Sequence, residues 1–150
     1  MSLARTLAVM RNAPFLNALG DEALKLLAFG ADPINLKPRE PLFEAGEPAD
    51  GAVLVLGGQL RLIPESQLED PRVFTVGALV DELALVVPMD RSATAIAQSS
   101  CEVIPLPRSQ MLRILNEFPE AAARLQVTLA RRTAAFIDEV GALQARIKDD

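Results

Sequence analysis

The sequence predicts a mainly-β domain with helices at both ends, the β part being a small antiparallel barrel, roll or sandwich. Two observations carry that expectation. Apolar residues recur at helical spacing up to about residue 30 and again from residue 108, while between them short apolar runs alternate with Gly, Pro and Asp clusters. The chain is also large enough for a core, with 150 residues of which 50% are hydrophobic.

In the first zone (1–30), Leu3, Leu7 and Met10 share one helical face, and Ala23, Leu26 and Leu27 share another after an Asp21-Glu22 start. Asn12-Ala13-Pro14 breaks the first helix, and Gly20-Asp21 supplies a turn and an N-cap for the next. In the second zone (33–106) the expected strands are Ile34–Leu36, Pro41–Phe43, Ala52–Leu56, Gln59–Ile63, Val73–Val76, Thr94–Ala97 and Glu102–Leu106. Gly57-Gly58 between two alternating runs predicts a tight hairpin, because primed turns need positive φ. Glu82–Val86, closed by Pro88, predicts one or two helical turns set within the sheet. In the third zone (108–148), Ser109 is the expected cap of a helix reaching Phe118, and Pro119 starts a longer one. Along it Leu129, Thr133, Phe136, Val140, Leu143 and Ile147 follow heptad spacing. A helix of about 45 Å outruns so small a domain, so its distal half is expected to pair with a second copy as a homodimer.

Composition narrows function. A net charge of −5 argues against a nucleic-acid partner, which needs a clustered basic face, and the pair Arg131-Arg132 is too small to supply one. With no histidine, Ser–His and Cys–His catalysis are excluded in their usual form, so no enzyme is expected. Cys101 is the lone cysteine and reads as a strand-end residue. Glu44, Glu47 and Asp50 lack the ligand spacing of a calcium loop, and no metal is expected. No signal peptide or membrane span is visible, which makes the cytoplasm the expected location.

The informative stretch is Gly77–Ala95, GALVDELALVVPMDRSATA. An isolated Glu82 and Arg91 would be an ion pair or solvated loop charges. The helix-forming run between them and the strands on either side favour a ligand site. A short helix start presents unpaired N–H groups to an anion, an arginine fork holds two oxygens, and the small Ser92 and Ala93 allow close backbone approach. This stretch resembles the phosphate-binding cassette of the cyclic-nucleotide-binding domain family, whose usual form is Phe-Gly-Glu-Leu-Ala-Leu, a short turn, then Arg, a small residue and Ala. Glu82, Leu83, Ala84, Leu85, Arg91 and Ala93 match in type and spacing. Glu44–Asp50, Val53–Leu60 and Phe118-Pro119-Glu120 resemble further family features, so the likeness extends over nearly the whole chain.

The resemblance implies an antiparallel β-roll of the double-stranded β-helix or jelly-roll type, with N-terminal helices and a long C-terminal helix. It implies that Arg91 meets the phosphate, that Glu82 accepts the ribose 2′-hydroxyl, and that Leu83, Ala84, Ser92 and Ala93 line the pocket. Arg132 falls where catabolite-activator-like members place an arginine toward Glu82, whereas their hydroxyl positions near the base fall on Phe136 and Ile137. The expected ligand is cyclic AMP or cyclic GMP, cyclic AMP being preferred, bound without chemistry and without a cofactor. No helix-turn-helix follows the long helix, so a stand-alone sensor or a piece of something larger is expected.

The main departure is Asp81, where the family has glycine. Aspartate tolerates positive φ better than most residues, but it adds a negative charge beside the phosphate position. At an effective dielectric of 20, two charges 6 Å apart interact by about 3 kcal/mol, about a hundredfold in affinity. A carboxylate turned to solvent would lose that effect by screening. The alternative function is therefore a dimeric protein-interaction module with ligand binding weakened or lost through Asp81, acting on an unidentified protein partner.

Overall fold

Proline and glycine divide the N-terminal helical zone. In the computed structural model, which describes residues 3–66 and 68–131, α1 (Leu3–Arg11) stops before Pro14, and that proline opens the short α2 (Pro14–Asn17) at a position where its missing N–H costs nothing. The N-cap of α3 (Asp21–Phe29) is Gly20, with no side-chain cap bond, and Asp21 instead accepts a 3.2 Å bond from Arg11. The buried face of α3 is Ala23, Leu24, Leu27 and Ala28, so Ala23 and Leu27 of the expected face are covered while Leu26 is 43% exposed and Leu24 is buried instead.

Ten strands follow among the described residues: β1 (Ile34–Leu36), β2 (Pro41–Phe43), β3 (Pro48–Ala49), β4 (Gly51–Gly57), β5 (Leu60–Pro64), β6 (Arg72–Phe74), β7 (Leu79–Val80), β8 (Met89–Asp90), β9 (Ala93–Ala97) and β10 (Cys101–Pro107). One sheet runs β1-β10-β4-β7, a second runs β2-β9-β5-β6, and β3 pairs with β8 in a small ribbon. Every pairing is antiparallel. This is the expected roll. The helical turn expected at Glu82–Val86 is a 3-10 helix, Glu82–Leu85, between β7 and β8.

The seven residues of β4 are apolar almost without break because both faces are covered. Ala52, Leu54 and Leu56 face the helices with Phe15, Leu16, Leu24, Leu27, Ile104 and Met111. Val53 and Val55 point the other way, into the roll, with Leu36, Phe43, Leu60, Ala95 and Val103. Each fully buried leucine of the helical side contributes about 2–3 kcal/mol. Along β9 the buried residues are Ala93, Ala95 and Ala97, small side chains that keep the roll interior shallow next to Arg91.

The expected hairpin at Gly57-Gly58 is not there. Strands β4 and β5 lie in different sheets, and the chain crosses from one to the other at these glycines. Gly58 does have φ +75°, and a Cβ on it would collide with the carbonyl oxygen of Ser100. Glycine is thus required by the close approach of the 98–100 turn, which Gln59 joins through Gln98 N–H to its carbonyl (2.9 Å) and its own N–H to Ser99 Oγ (3.1 Å).

The helix α4 (Arg108–Glu117) starts one residue before Ser109, with Pro107 at the N-cap, so Ser109 is not the cap. Phe118 interrupts, and α5 (119–131) begins at Pro119 as expected. Ala121 and Leu125 of α5 pack into the helical cluster, joined at its edge by Leu129. The heptad positions Thr133 to Ile147, and the homodimer expected from them, lie outside the described residues. Among the described residues, no helix is long and apolar enough to cross a membrane.

Candidate functional site

The site is built around Arg91, and its backbone is held first. The β3–β8 ribbon brings the residue after β8 against the turn after β2, where Gly46 N–H donates to the Arg91 carbonyl and Arg91 N–H donates to the Glu47 carbonyl, both at 2.8 Å. Thr94 Oγ1 accepts the N–H of Ala45 at 3.0 Å and fixes the same turn. The side chain then runs inward. It is 7% exposed and its guanidinium carbon lies 4.2 Å from the centroid of the Phe43 ring. A desolvated cation over an aromatic face is an attraction of about 2 kcal/mol.

Arg91 Nη1 donates to Asp81 Oδ2 at 3.0 Å, and Nη2 lies 3.9 Å from Asp50 Oδ1. The two carboxylates differ greatly: the Asp81 side chain is 12% exposed and that of Asp50 is 94% exposed. Asp81 has φ +57° and ψ +49°, the left-handed conformation a glycine would take most readily. The orientation that the sequence left open is thus inward, onto the arginine.

From Asp81 the chain enters the 3-10 helix. Glu82 is half-buried at its start, Leu83 is exposed, and Ala84 and Leu85 are fully buried. Its far end is held by Arg108, whose Nη1 donates to the carbonyls of Ala49 (3.1 Å), Ala84 (3.1 Å) and Val87 (3.3 Å). Two N–H bonds are shared among three acceptors. The Arg108 backbone N–H donates to the Asp50 carbonyl at 2.7 Å. Of the other expected site residues, Ala93 is buried, Ser92 is exposed, and Arg132 lies outside the described residues.

A cleft of about 250 Å³ opens beside the 3-10 helix, lined by Leu79, Asp81, Glu82, Leu83 and Met89. A larger one, about 460 Å³, lies by Arg5, Lys37, Gly57 and Ser100. That is the opposite end of β4, roughly 20 Å from Asp50 at strand rise. It has no buried cation, since Arg5 and Glu102 there form a 3.2 Å pair with Arg5 half exposed. Chemistry and not volume therefore selects the cassette. Cys101 is buried at the start of β10, and desolvation raises its thiol above the ordinary value, which keeps it protonated. No group of three or more potential metal ligands occurs among the described residues.

Sequence reasoning singled out Arg91 and Glu82, and the cassette helix it expected is the Glu82–Leu85 3-10 helix. It did not assign Phe43, Thr94 or Arg108, whose importance depends on contacts from strands far away in sequence.

Comparison with known proteins bears directly on this arrangement. The chain is 29% identical over 127 residues to the cyclic AMP receptor protein of Thermus thermophilus, covering 82% of this chain and 58% of that protein. It is 26% identical over 114 residues to the lysophospholipase nte1 of Neurospora crassa, covering 74% of this chain and 8% of that one. The chain therefore spans only a part of these relatives. Among solved structures, the N-terminal domain of a transcriptional regulator from Streptomyces coelicolor superposes with a TM-score of 0.79 at 29% identity, covering 88% of this chain and 94% of that domain. The family model for the cyclic nucleotide-binding domain matches residues 33–118, more than half the chain and the whole of the roll with its cassette. The chain belongs to the cyclic nucleotide-binding domain family.

Proposed function

We propose that this domain is a regulatory sensor that captures a cyclic mononucleotide, cyclic AMP before cyclic GMP, without transforming it. One observation supports the reading: Arg91 of the cassette carries a buried guanidinium, stacked on Phe43, that could meet a phosphate. A planar arginine fork is suited to two phosphodiester oxygens. Glu82 would accept the ribose 2′-hydroxyl, and Leu83, Ala84, Ser92 and Ala93 would line the pocket. Arg132 would approach Glu82 from the last helix. The preference for cyclic AMP rests on the Thermus relative, which is by name a cyclic AMP receptor.

Capture would draw the 82–86 segment toward Arg91 and shift the last helix against the roll, a population shift read out by a partner surface. A homodimer formed through the heptad face of that helix fits the reading, and sedimentation of the purified chain tests it. A single buried, free thiol suits a reducing compartment, so we place the domain in the cytoplasm.

Calorimetric titration with cyclic AMP, cyclic GMP and 5′-AMP is the direct test. Saturable binding of a cyclic nucleotide but not of 5′-AMP supports the sensor. No heat at millimolar ligand with an unmoved melting temperature removes it and leaves an interaction module.

A further inference from the structure

The sensor reading asks Arg91 to receive a phosphate, yet Arg91 already holds an anion. The Asp81 carboxylate lies 3.0 Å from Nη1, and both side chains are nearly out of solvent. We propose that Asp81 is the specificity-determining residue of this site: its carboxylate occupies the phosphate place on Arg91, so a cyclic nucleotide enters only by exchanging its phosphodiester for Asp81.

Four features support an exchange in preference to two independent sites. The Arg91 side chain is held where it lies, buried and stacked on Phe43 from a backbone bonded on both sides, so a ligand has to come to it. Asp81, and not Arg91, lines the neighbouring cleft, so the residue that holds the cation also borders the space a ligand would enter. Asp81 holds a left-handed conformation that is costly for a non-glycine residue, which the charged hydrogen bond to Arg91 offsets. Asp50 adds a second, solvent-screened carboxylate 3.9 Å from the same guanidinium, so the close anion that meets the charge of Arg91 is Asp81. A bound phosphate with Asp81 still in place would bring like charges together in a poorly solvated space.

The exchange has two consequences. It raises the ligand concentration needed for occupancy, and it makes capture mechanical. Asp81 is the residue immediately before the 3-10 helix, so its release moves Glu82, the expected ribose contact. The site then favours an anion that offers two oxygens to the fork over a weaker single-oxygen anion.

This inference rests on the sensor reading, and the test separates the two. Cyclic AMP and cyclic GMP affinities are measured on the full chain by calorimetry for wild type, Asp81→Asn and Asp81→Gly, with urea unfolding of each without ligand. Exchange predicts at least about tenfold tighter binding in Asp81→Asn and about a hundredfold in Asp81→Gly. Ligand-free stability should fall in Asp81→Asn, where the charged partner of Arg91 is gone. Weaker folding with tighter binding is a combination that a purely structural aspartate does not produce. Binding by the variants alone, with none by wild type, equally supports exchange. Equal affinity in all three overturns exchange and leaves the sensor standing, as does weaker binding in the variants. Absence of binding in all three overturns both.

Discussion

Two arginines hold the two ends of the Glu82–Leu85 turn, and they do so with different kinds of partner. Arg108 spends one nitrogen on the carbonyls of Ala49, Ala84 and Val87, groups that belong to the backbone and have no rotamer of their own. Arg91 uses a side-chain carboxylate, Asp81, with a second at Asp50. A carboxylate can rotate off and be replaced by another anion, whereas a carbonyl cannot be replaced without moving the chain. The same residue type thus serves as a fixed strut on one side of the cassette and, under the proposed exchange, as a receptor on the other. The difference lies in the partners, and under the proposed exchange the part of the cassette that moves is its Asp81 end.

The comparison can be broken most directly at Arg91. Arg91→Ala should abolish cyclic-nucleotide binding and also lower stability by about 1–3 kcal/mol in urea unfolding, because Asp81 loses its charged hydrogen-bond partner. An unchanged midpoint would mean that this contact is solvated and that Arg91 is no different from a surface arginine. Arg108→Met retains the length of the stem and removes the donor. It should cost about 1–3 kcal/mol by leaving carbonyls unpaired, and hydrogen exchange at the Val86 and Val87 amides should quicken as the turn loosens. Unaltered exchange there would deny Arg108 its role as a strut.

A smaller effect is expected at Phe43. Phe43→Leu keeps an apolar residue under Arg91 but removes the aromatic face, for a loss of about 1 kcal/mol together with weaker nucleotide binding. A change in stability without one in affinity would show that the ring supports the roll and not the receptor. The smallest effect belongs to Asp50→Asn. Its carboxylate is 94% exposed and 3.9 Å away, so the unfolding midpoint should not move. A clear shift would make Asp50, beside Asp81, a true partner of the arginine.

Much of this architecture is legible from local pattern. The change from helical to strand spacing and back locates the three zones. Seven strands carry runs of three or more residues that show themselves in sequence. The strands β3, β7 and β8 escape such reading because two residues cannot display alternation, and they exist through their partners at Met89–Asp90, Val53–Leu54 and Pro48–Ala49. Leu26 illustrates a subtler shift: apolar composition marked α3 correctly, but the rotation of the helix on the roll decides which leucine is covered. Gly57-Gly58 shows the right requirement with the wrong consequence. Positive φ was needed, but for a crossing between sheets past Ser100 and not for a hairpin.

The amino-acid sequence by itself determined the roll flanked by helices, the cassette with Glu82 and Arg91, and the presence of an aspartate where a glycine is usual. Each of these depends on residue type and short-range spacing, which are written along the chain. Only the tertiary structure decided that Asp81 faces Arg91, that Phe43 lies beneath the guanidinium, and that Arg108 holds the far end of the turn. Those contacts join residues ten, forty-eight and up to fifty-nine positions apart. The direction of a carboxylate depends on burial and charge brought from such distances, and no local pattern carries that information.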